Sequence, residues 1–375
     1  MIIENLKANL VVHPLPGEFH PAWGPGLTMR ELPLTLIEIT TDTGIKGYGA
    51  LPASGKEGVV GVNTFIKDNL IGLDVFNIEE IEKVLRNASL RTIWPWGVEM
   101  AIWDIIGKDA NRPVYKLMGG FQDEIKVYAS LGEVRSAEDR VKEAIQIKEA
   151  GFSGIKLRFH DNDPSNDIKI ARDVVEAVGE SMEIMVDANQ ADALPGSKSV
   201  NQWDYYTALE VGKELEKMGI AWLEEPLPRF DIEGLKKLSN KLSIPIAGGE
   251  KNQMIAEFKQ LIENDCYDIL QGDASFSGGL FELRKIAGIA EAYHKKFIPH
   301  TWSNGIGLYA NLQLAASLPN CPWFEYPYEK PGWDHAANNI LFKEGLEIKN
   351  GYINVPQKPG LGFEIEPTQL EKYKV

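Results

Sequence analysis

Asp187, Glu224, Glu250 and Asp273 each end a short apolar run in the middle of the chain, and His300 ends the next one. The steps between them are 37, 26, 23 and 27 residues. In a parallel β/α architecture the strand ends converge on one face, so residues spaced by about one strand and one helix can share a site. Carboxylates at neighbouring strand ends repel and cannot all stay ionised without compensation. A hard divalent cation provides it, and carboxylate ligation with room for water suits Mg²⁺ or Mn²⁺ better than Zn²⁺. Asp273 and His300 end consecutive runs. A carboxylate oriented onto an imidazole fixes its tautomer and raises its basicity, which prepares a general base.

The elements that must position these residues are legible as changes of period. From about residue 126 the chain alternates strand and helix. The runs KVYAS, GIKLR, EIMVD, AWLEE, IPIAGGE, DILQGD, KFIPH and WFEYP are mostly separated by amphipathic stretches such as DRVKEAIQIKEAG and YYTALEVGKELEKMG. Eight such strands predict a closed parallel barrel over residues 126–333. Residues 1–125 read as α+β. There LTLIEITTD, a Thr43-Gly44 turn and IKGYGAL suggest antiparallel strands, residues 20–25 a Pro/Gly loop, and NIEEIEKVLRNA and WGVEMAIWDIIGKDA helices. In the second helix Val98, Ala101, Ile102, Ile105 and Ile106 share a face. Residues 334–375 contain a hairpin pattern, LFKEGLEIKNGYINVP, and are expected to return to the first domain. Strand parity sorts the candidates: the two glutamates of AWLEEP cannot both point inward. Glu224 shares parity with Trp222 and is assigned inward, with Glu225 behind it. Lys156 pairs in parity with Arg158, Asp187 with Asn189, and Gln271 with Asp273.

Composition narrows the class. With 375 residues and 44% hydrophobic content the chain can build a sizeable core and more than one domain. A net charge of −15 argues against nucleic-acid binding, which needs clustered Lys and Arg. The first residues lack the pattern of a signal peptide and no 18-residue apolar run follows, so no membrane association and a cytoplasmic location are expected. Cys266 and Cys321 lack metal-ligand spacing and read as buried free thiols.

The series IKLR, VDAN, WLEEP, GGE, DASFSGG, PHTWSNGIGL and FEYP resembles the mandelate racemase and muconate lactonizing branch of the enolase superfamily, and AIWDIIGK resembles the helix that often precedes the barrel there. The resemblance covers nearly the whole chain. It implies an α+β capping domain, a modified (β/α)7β TIM-type barrel, and Mg²⁺ held by Asp187, Glu224 and Glu250. It also implies abstraction of the proton α to a carboxylate, a step whose dianionic intermediate demands concentrated positive charge. Asp273, five residues before Gly278-Gly279, stands where muconate-lactonizing-like members carry a lysine base. With His300 it aligns the chain with the mandelate racemase subgroup. By the same carry-over Glu325 meets a substrate carboxylate oxygen and Asn189 a substrate hydroxyl. Cap segments 18–28 and 52–56 close over the site, with His20 and Trp23 contacting a polyhydroxy chain; Trp302, Asn304, Tyr326, Trp333 and His335 lie near the barrel mouth. The family's habit suggests a homo-oligomer, from dimer to octamer.

One departure decides the expected reaction. The racemase motif Lys-x-Lys is here Lys156-Leu157-Arg158. A guanidinium, with pKa above about 12, is a poor base at neutral pH. Racemisation needs a base on each face, whereas elimination needs one. The expectation is a dehydratase of a sugar acid, an aldonate or aldarate such as arabinonate, gluconate or galactonate, with Lys156 and Arg158 binding the carboxylate or stabilising the enediolate. The alternative is a racemase or epimerase of an α-hydroxy or α-amino acid, with Lys156 as the second base where its surroundings lower its pKa, and a non-catalytic barrel has no use for the Asp273–His300 pair.

Overall fold

A computed structural model describes residues 1–52, 55–91, 94–192 and 202–375. The N-terminal part is an antiparallel meander of β1 (Ile3–Phe19), β2 (Met29–Thr41) and β3 (Lys46–Leu51), in the order β1-β2-β3. Sequence pattern identifies β2 and β3 but not the 17-residue β1. Pro14 and Pro16 interrupt its reading as a strand, and its edge position tolerates them. Helix Gly97–Asp109 lies on β3 so closely that a Cβ on Gly49 would fall 1.8 Å from the carbonyl oxygen of Gly97. The sequence gives this helix one apolar face, yet residues 97–107 are all buried. The meander covers one side; Trp103 and Phe281, with rings 6.4 Å apart, join another side to the barrel. Asp104 accepts from the backbone N–H of Tyr48 and of Leu361, each at 3.0 Å.

The barrel strands are β4 (Glu124–Ser130), β5 (Gly154–Arg158), β6 (Glu183–Asp187), β7 (Leu223–Glu224), β8 (Ile246–Gly248), β9 (Ile269–Leu270), β10 (Lys296–Phe297) and β11 (Phe324–Pro327). They run parallel in sequence order from β4 to β10, and β11 pairs back onto β4. Thr301 Oγ donates to the Glu325 carbonyl at 3.0 Å and helps close the β10–β11 side. Helices Ala137–Glu149, Pro164–Val178, Tyr205–Met218, Ile232–Ser239, Met254–Glu263, Leu280–Ala292 and Gly305–Ala316 fill the connections, which is the (β/α)7β pattern. Ser136, Asp163, Asp204, Asp231 and Asn304 cap five of them with side-chain oxygens. Tyr128, Met185, Trp222, Ala247, Ile269, Ile298 and Trp323 form a separate buried cluster. Met185 and Trp222 precede Asp187 and Glu224 by two, so this cluster is the floor under the strand-end side chains.

After β11, β12 (Ile348–Lys349) and β13 (Tyr352–Asn354) form a hairpin that adds antiparallel to the start of β4. The final residues reach β1, where Val375 N–H donates to Leu10 O at 3.0 Å.

Glu82 of helix Ile78–Ser89 and Glu99 face Glu282 of the barrel helix Leu280–Ala292. Glu82 is fully buried and neither carboxylate oxygen accepts a hydrogen bond; Arg86, at 3.6 Å, is its closest ion-pair partner. Burial, then Glu99 and Glu282, push its pKa up to about 9. An ordinary carboxyl titrates near pH ~4.3, so between about pH 4 and 9 the folded chain binds a proton that the unfolded chain lacks. The associated stability is fully present below that window and is lost as pH rises through it, by at most about 1.4 kcal/mol per unit. Glu82→Gln removes the titration. The difference in Tm, variant minus wild type, should therefore grow from pH 4 to 9 in thermal scans; a difference that stays flat contradicts this account.

Candidate active site

The carboxylates gather at the C-terminal end of the barrel strands. Asp187 and Glu224 are paired neighbours in the β6–β7 register, and Glu250, Asp273 and His300 follow just beyond β8, β9 and β10. Asp187, Glu224, Asp273 and Glu325 are no more than 1% exposed, and Glu250 and His300 only 7% and 5%. Three cations answer them. Lys156 Nζ lies 2.8 Å from both oxygens of Glu224, 2.7 Å from Glu325 Oε1 and 3.6 Å from Asp187 Oδ2. Arg158 pairs with Asp187 and donates to Asn189 Oδ1 at 3.0 Å. Lys251 holds Glu250 Oε1 at 2.9 Å. Burial opposes the charge on Lys156, but Glu224, Glu325 and Asp187 together outweigh it and raise its pKa. For Arg158 the carboxylates likewise outweigh burial. Glu224 is pushed up to about 8 by burial and then by Asp187. In the Lys156–Glu224 pair the ammonium keeps its charge, because three carboxylates face it.

His300 stands between two carboxylates, with Nδ1 2.8 Å from Asp273 Oδ2 and Nε2 3.0 Å from Glu250 Oε2. Burial disfavours its charge, yet Glu250, Glu325 and Asp273 raise its pKa to about 9. Glu325 is held down to about 2, burial being overcome by Lys156 and His300, and its Oε2 accepts from Thr301 N–H at 2.7 Å. In this state it only accepts; hydrogen bonding to a substrate carboxylate oxygen requires it first to take a proton.

The structure divides the remaining candidates. Trp23 reaches the site: the Arg158 guanidinium lies 5.0 Å from its ring centre and 5.9 Å from that of Trp302, and the two indoles are 5.1 Å apart. Trp302 Nε1 donates to Ser130 Oγ at 2.8 Å. Trp333 joins the same aromatic group, 5.0 Å from Trp302. His20 is not brought to the carboxylates. Its side chain is 54% exposed, with Nδ1 facing Thr28 Oγ at 3.2 Å and Nε2 3.7 Å from Glu18. Phe19 and Trp23 pack inward on this loop, which leaves His20 on its polar outer side. Tyr326 and His335 bond to each other at 2.9 Å and pack on Phe152, on the side of β11 opposite Glu325. Asn304 caps its helix. Of segment 52–56, residues 53 and 54 lie outside the described residues.

Residues 9–119 match the model for the mandelate racemase / muconate lactonizing enzyme N-terminal domain, and residues 139–369 match the enolase C-terminal domain-like model. An arabinonate dehydratase of Saccharolobus solfataricus is 34% identical over 362 residues, 93% of this chain and 92% of that protein. An L-talarate/galactarate dehydratase of Salmonella typhimurium is 33% identical over 381 residues, 97% of this chain and 89% of that one. A crystal structure of the latter enzyme liganded with Mg and L-lyxarohydroxamate is similar with a TM-score of 0.86, at 29% identity, covering 100% of this chain and 93% of that chain. The chain belongs to the mandelate racemase/muconate lactonizing enzyme family of the enolase superfamily.

Within this family member the sequence reading passed over several polar contacts. Gln271 Nε2 donates to Glu224 Oε2 at 2.7 Å, Asn311 Nδ2 to Asp273 Oδ1 at 2.9 Å, and His160 Nε2 sits 3.2 Å from Asn189 Oδ1. Gln271 shares parity with Asp273; His160 lies two residues beyond the end of β5 and was not singled out, and Asn311 lies on a helix and carried no such signal. Among the described residues, no three His, Cys, Asp or Glu side chains converge as a cage for a metal ion. As they stand, Lys156 links Asp187 with Glu224, and Glu250 is engaged by Lys251 and His300. Their chemistry nevertheless fits a hard cation, being buried oxygen donors on three consecutive strand ends.

Removing the lysine tests this charge balance. Lys156→Met leaves Glu224 and Glu325 without their shared ammonium and should destabilise the fold by about 3–5 kcal/mol. Urea denaturation measures it, and an unchanged midpoint counts against the compensation.

Proposed function

We propose that the chain is a Mg²⁺-dependent sugar-acid dehydratase that converts an aldonate or aldarate, such as arabinonate, gluconate or galactonate, into a 2-keto-3-deoxy acid. The observation that carries the reading is the asymmetry of the site: one imidazole backed by a carboxylate on β10's end, and on β5 two cations that their carboxylate neighbours keep charged. The dehydratase names of the two relatives, and Mg in the talarate/galactarate dehydratase structure, support it. The reading carries with it a small carboxylate as partner, a homo-oligomeric assembly and a cytoplasmic location.

Asp187, Glu224 and Glu250 are the residues assigned to hold Mg²⁺, and Mn²⁺ suits the same oxygens. When bound, the cation supplies the concentrated positive charge that a carboxylate needs as its α-proton leaves. The chain's own residues do the rest. Asp273 takes the Nδ1–H of His300, which leaves the Nε2 lone pair as the working end. While Glu250 stays paired with Nε2, the imidazole keeps its proton, so the base is freed only when that carboxylate is engaged elsewhere. His300 then removes the α-proton, and the C–H electrons move into the carboxylate. The same Nε2–H returns the proton to the β-hydroxyl, the C–O bond breaks, water leaves, and the enol tautomerises to the keto acid. Lys156 and Arg158 hold carboxylate oxygens, Asn189 a hydroxyl, and Glu325 a carboxylate oxygen once protonated. Trp23 and Trp302 wall the polyhydroxy chain. The alternative, a racemase or epimerase, needs a second base. Lys156 is the candidate, and its three carboxylate neighbours hold it charged.

A library of aldonates and aldarates incubated with Mg²⁺ should give a 2-keto product, read as semicarbazone absorbance, from at least one member. No keto product together with solvent-deuterium exchange and inversion at the α-carbon establishes the racemase instead. His300→Asn should lower kcat by about 10²–10⁴-fold while calorimetry shows nearly unchanged Mg²⁺ affinity; an active variant removes His300 from its role.

A further inference from the structure

We propose that Glu99, a cap residue remote from the substrate, is a positioning residue for the Asp273–His300 pair: it fastens the segment carrying Asp273 to the cap. The proposal rests on the dehydratase reading only for its kinetic readout.

The segment leaves β9 after Leu270 and enters helix Leu280–Ala292 through Gly279. Its interior bonds aim the carboxylate. Ser275 N–H and Asn311 Nδ2 both donate to Asp273 Oδ1, at 2.6 and 2.9 Å, leaving Oδ2 for His300. Ser277 Oγ accepts from Asp273 N–H at 3.0 Å and donates to Glu250 O at 2.7 Å. The Phe276 ring lies 5.9 Å from the imidazole. The segment therefore touches the base, its carboxylate partner and the backbone of Glu250.

From the cap, two side chains hold it. Trp96 Nε1 donates to Phe276 O at 3.2 Å. Glu99, fully buried, accepts from Phe281 N–H at 3.0 Å and from Trp103 Nε1 at 2.9 Å on Oε1. A helix start leaves N–H groups without partners, and Gly279 at the cap position has no side chain to serve them. Glu99 serves them from the other domain. Gly279 has φ −72°, a conformation open to any residue, so its backbone does not require glycine. Space does: a Cβ there would lie 1.5 Å from Glu99 Oε2 and 2.3 Å from its Cδ, and the nearest atoms all belong to Glu99. Gly279 and Glu99 are thus one device. A misplacement of about 1 Å can cost about 10²-fold in rate, which is why a tether outside the site bears on the chemistry.

The experiment compares Glu99→Ala, Gly279→Ala, the double variant and Glu99→Gln in the Mg²⁺-loaded full chain. Two readouts are taken: kcat and KM on the library substrate, and the His300 Nδ1 proton resonance of histidine-labelled protein, assigned by its loss in His300→Asn. Glu99→Ala and Gly279→Ala should each displace or broaden that resonance and lower kcat by about 10–100-fold with KM unchanged. Gly279→Ala should add no further loss in the Glu99→Ala background, where its methyl has room. Glu99→Gln keeps the Oε1 acceptor and should retain the resonance and most of kcat. An unmoved resonance in Glu99→Ala, or losses that simply add in the double variant, overturns the proposal. Where Glu99→Ala does not fold, Trp96→Phe removes only the other cap hydrogen bond; a displaced resonance there supports the tether and an unmoved one overturns it. A displaced resonance in a protein that dehydrates no acid sugar faults the reaction assigned and leaves the tether standing.

Discussion

Asp187, Glu224, Glu250, Asp273 and Glu325 bring like charges into one nearly dry barrel mouth, and most of the surrounding architecture answers that repulsion. Isolated buried carboxylates would take up protons or unfold the site. The response is local and specific: Lys156 is shared among three of them, Arg158 takes Asp187, Lys251 takes Glu250, and His300 bridges Glu250 and Asp273. In the arrangement that makes the carboxylate cluster tolerable, Lys156 and Arg158 are held in their charged forms, and His300 stands between Glu250 and Asp273.

The same constraint shapes the backbone. Parallel ladders at β7, β9 and β10 are only two residues long, and the chain leaves them early so that side chains and N–H groups can surround the acids. Asn189 and Glu225, just beyond Asp187 and Glu224, take positive φ of 45° and 46°, which non-glycine residues seldom do. That turn swings Glu225 off the strand. It is buried with Oε2 unbonded, and burial, then Glu250, raises its pKa. The site spends backbone strain and one unsatisfied acid to hold its geometry.

Much of this was legible in the sequence because the barrel repeats one period. Apolar runs ending in Asp187, Glu224, Glu250, Asp273 and His300 gave the strand order and the face on which these residues gather. What was not legible depends on contacts between distant segments. Strand β1 was hidden by its prolines. His20 was placed with the substrate; its side chain is exposed and faces Thr28 and Glu18, while neighbouring Phe19 and Trp23 pack inward. Parity assigned Glu224 correctly, since Glu224 lies in a ladder. It had no authority over Glu250, Asp273 and His300, which lie beyond the ladders, where loop hydrogen bonds aim them. The Glu99–Gly279 contact spans 180 residues of sequence, and nothing in either local pattern announces it.

The expectation from the sequence gives the cap contact with the substrate and the barrel the chemistry. In this chain the division is less clean. The cap places Trp23 against Arg158 on one side of the mouth, and on the other it places Trp96 and Glu99 against the segment that carries Asp273. The cap therefore meets the barrel mouth at two points, at the Trp23–Arg158 contact and at the segment whose Asp273 bonds His300. Helix Gly97–Asp109, which carries Glu99, is buried along nearly its whole length between the meander and the barrel. Its burial on every side follows from packing against the meander on one side and, through Trp103 and Phe281, against the barrel on another.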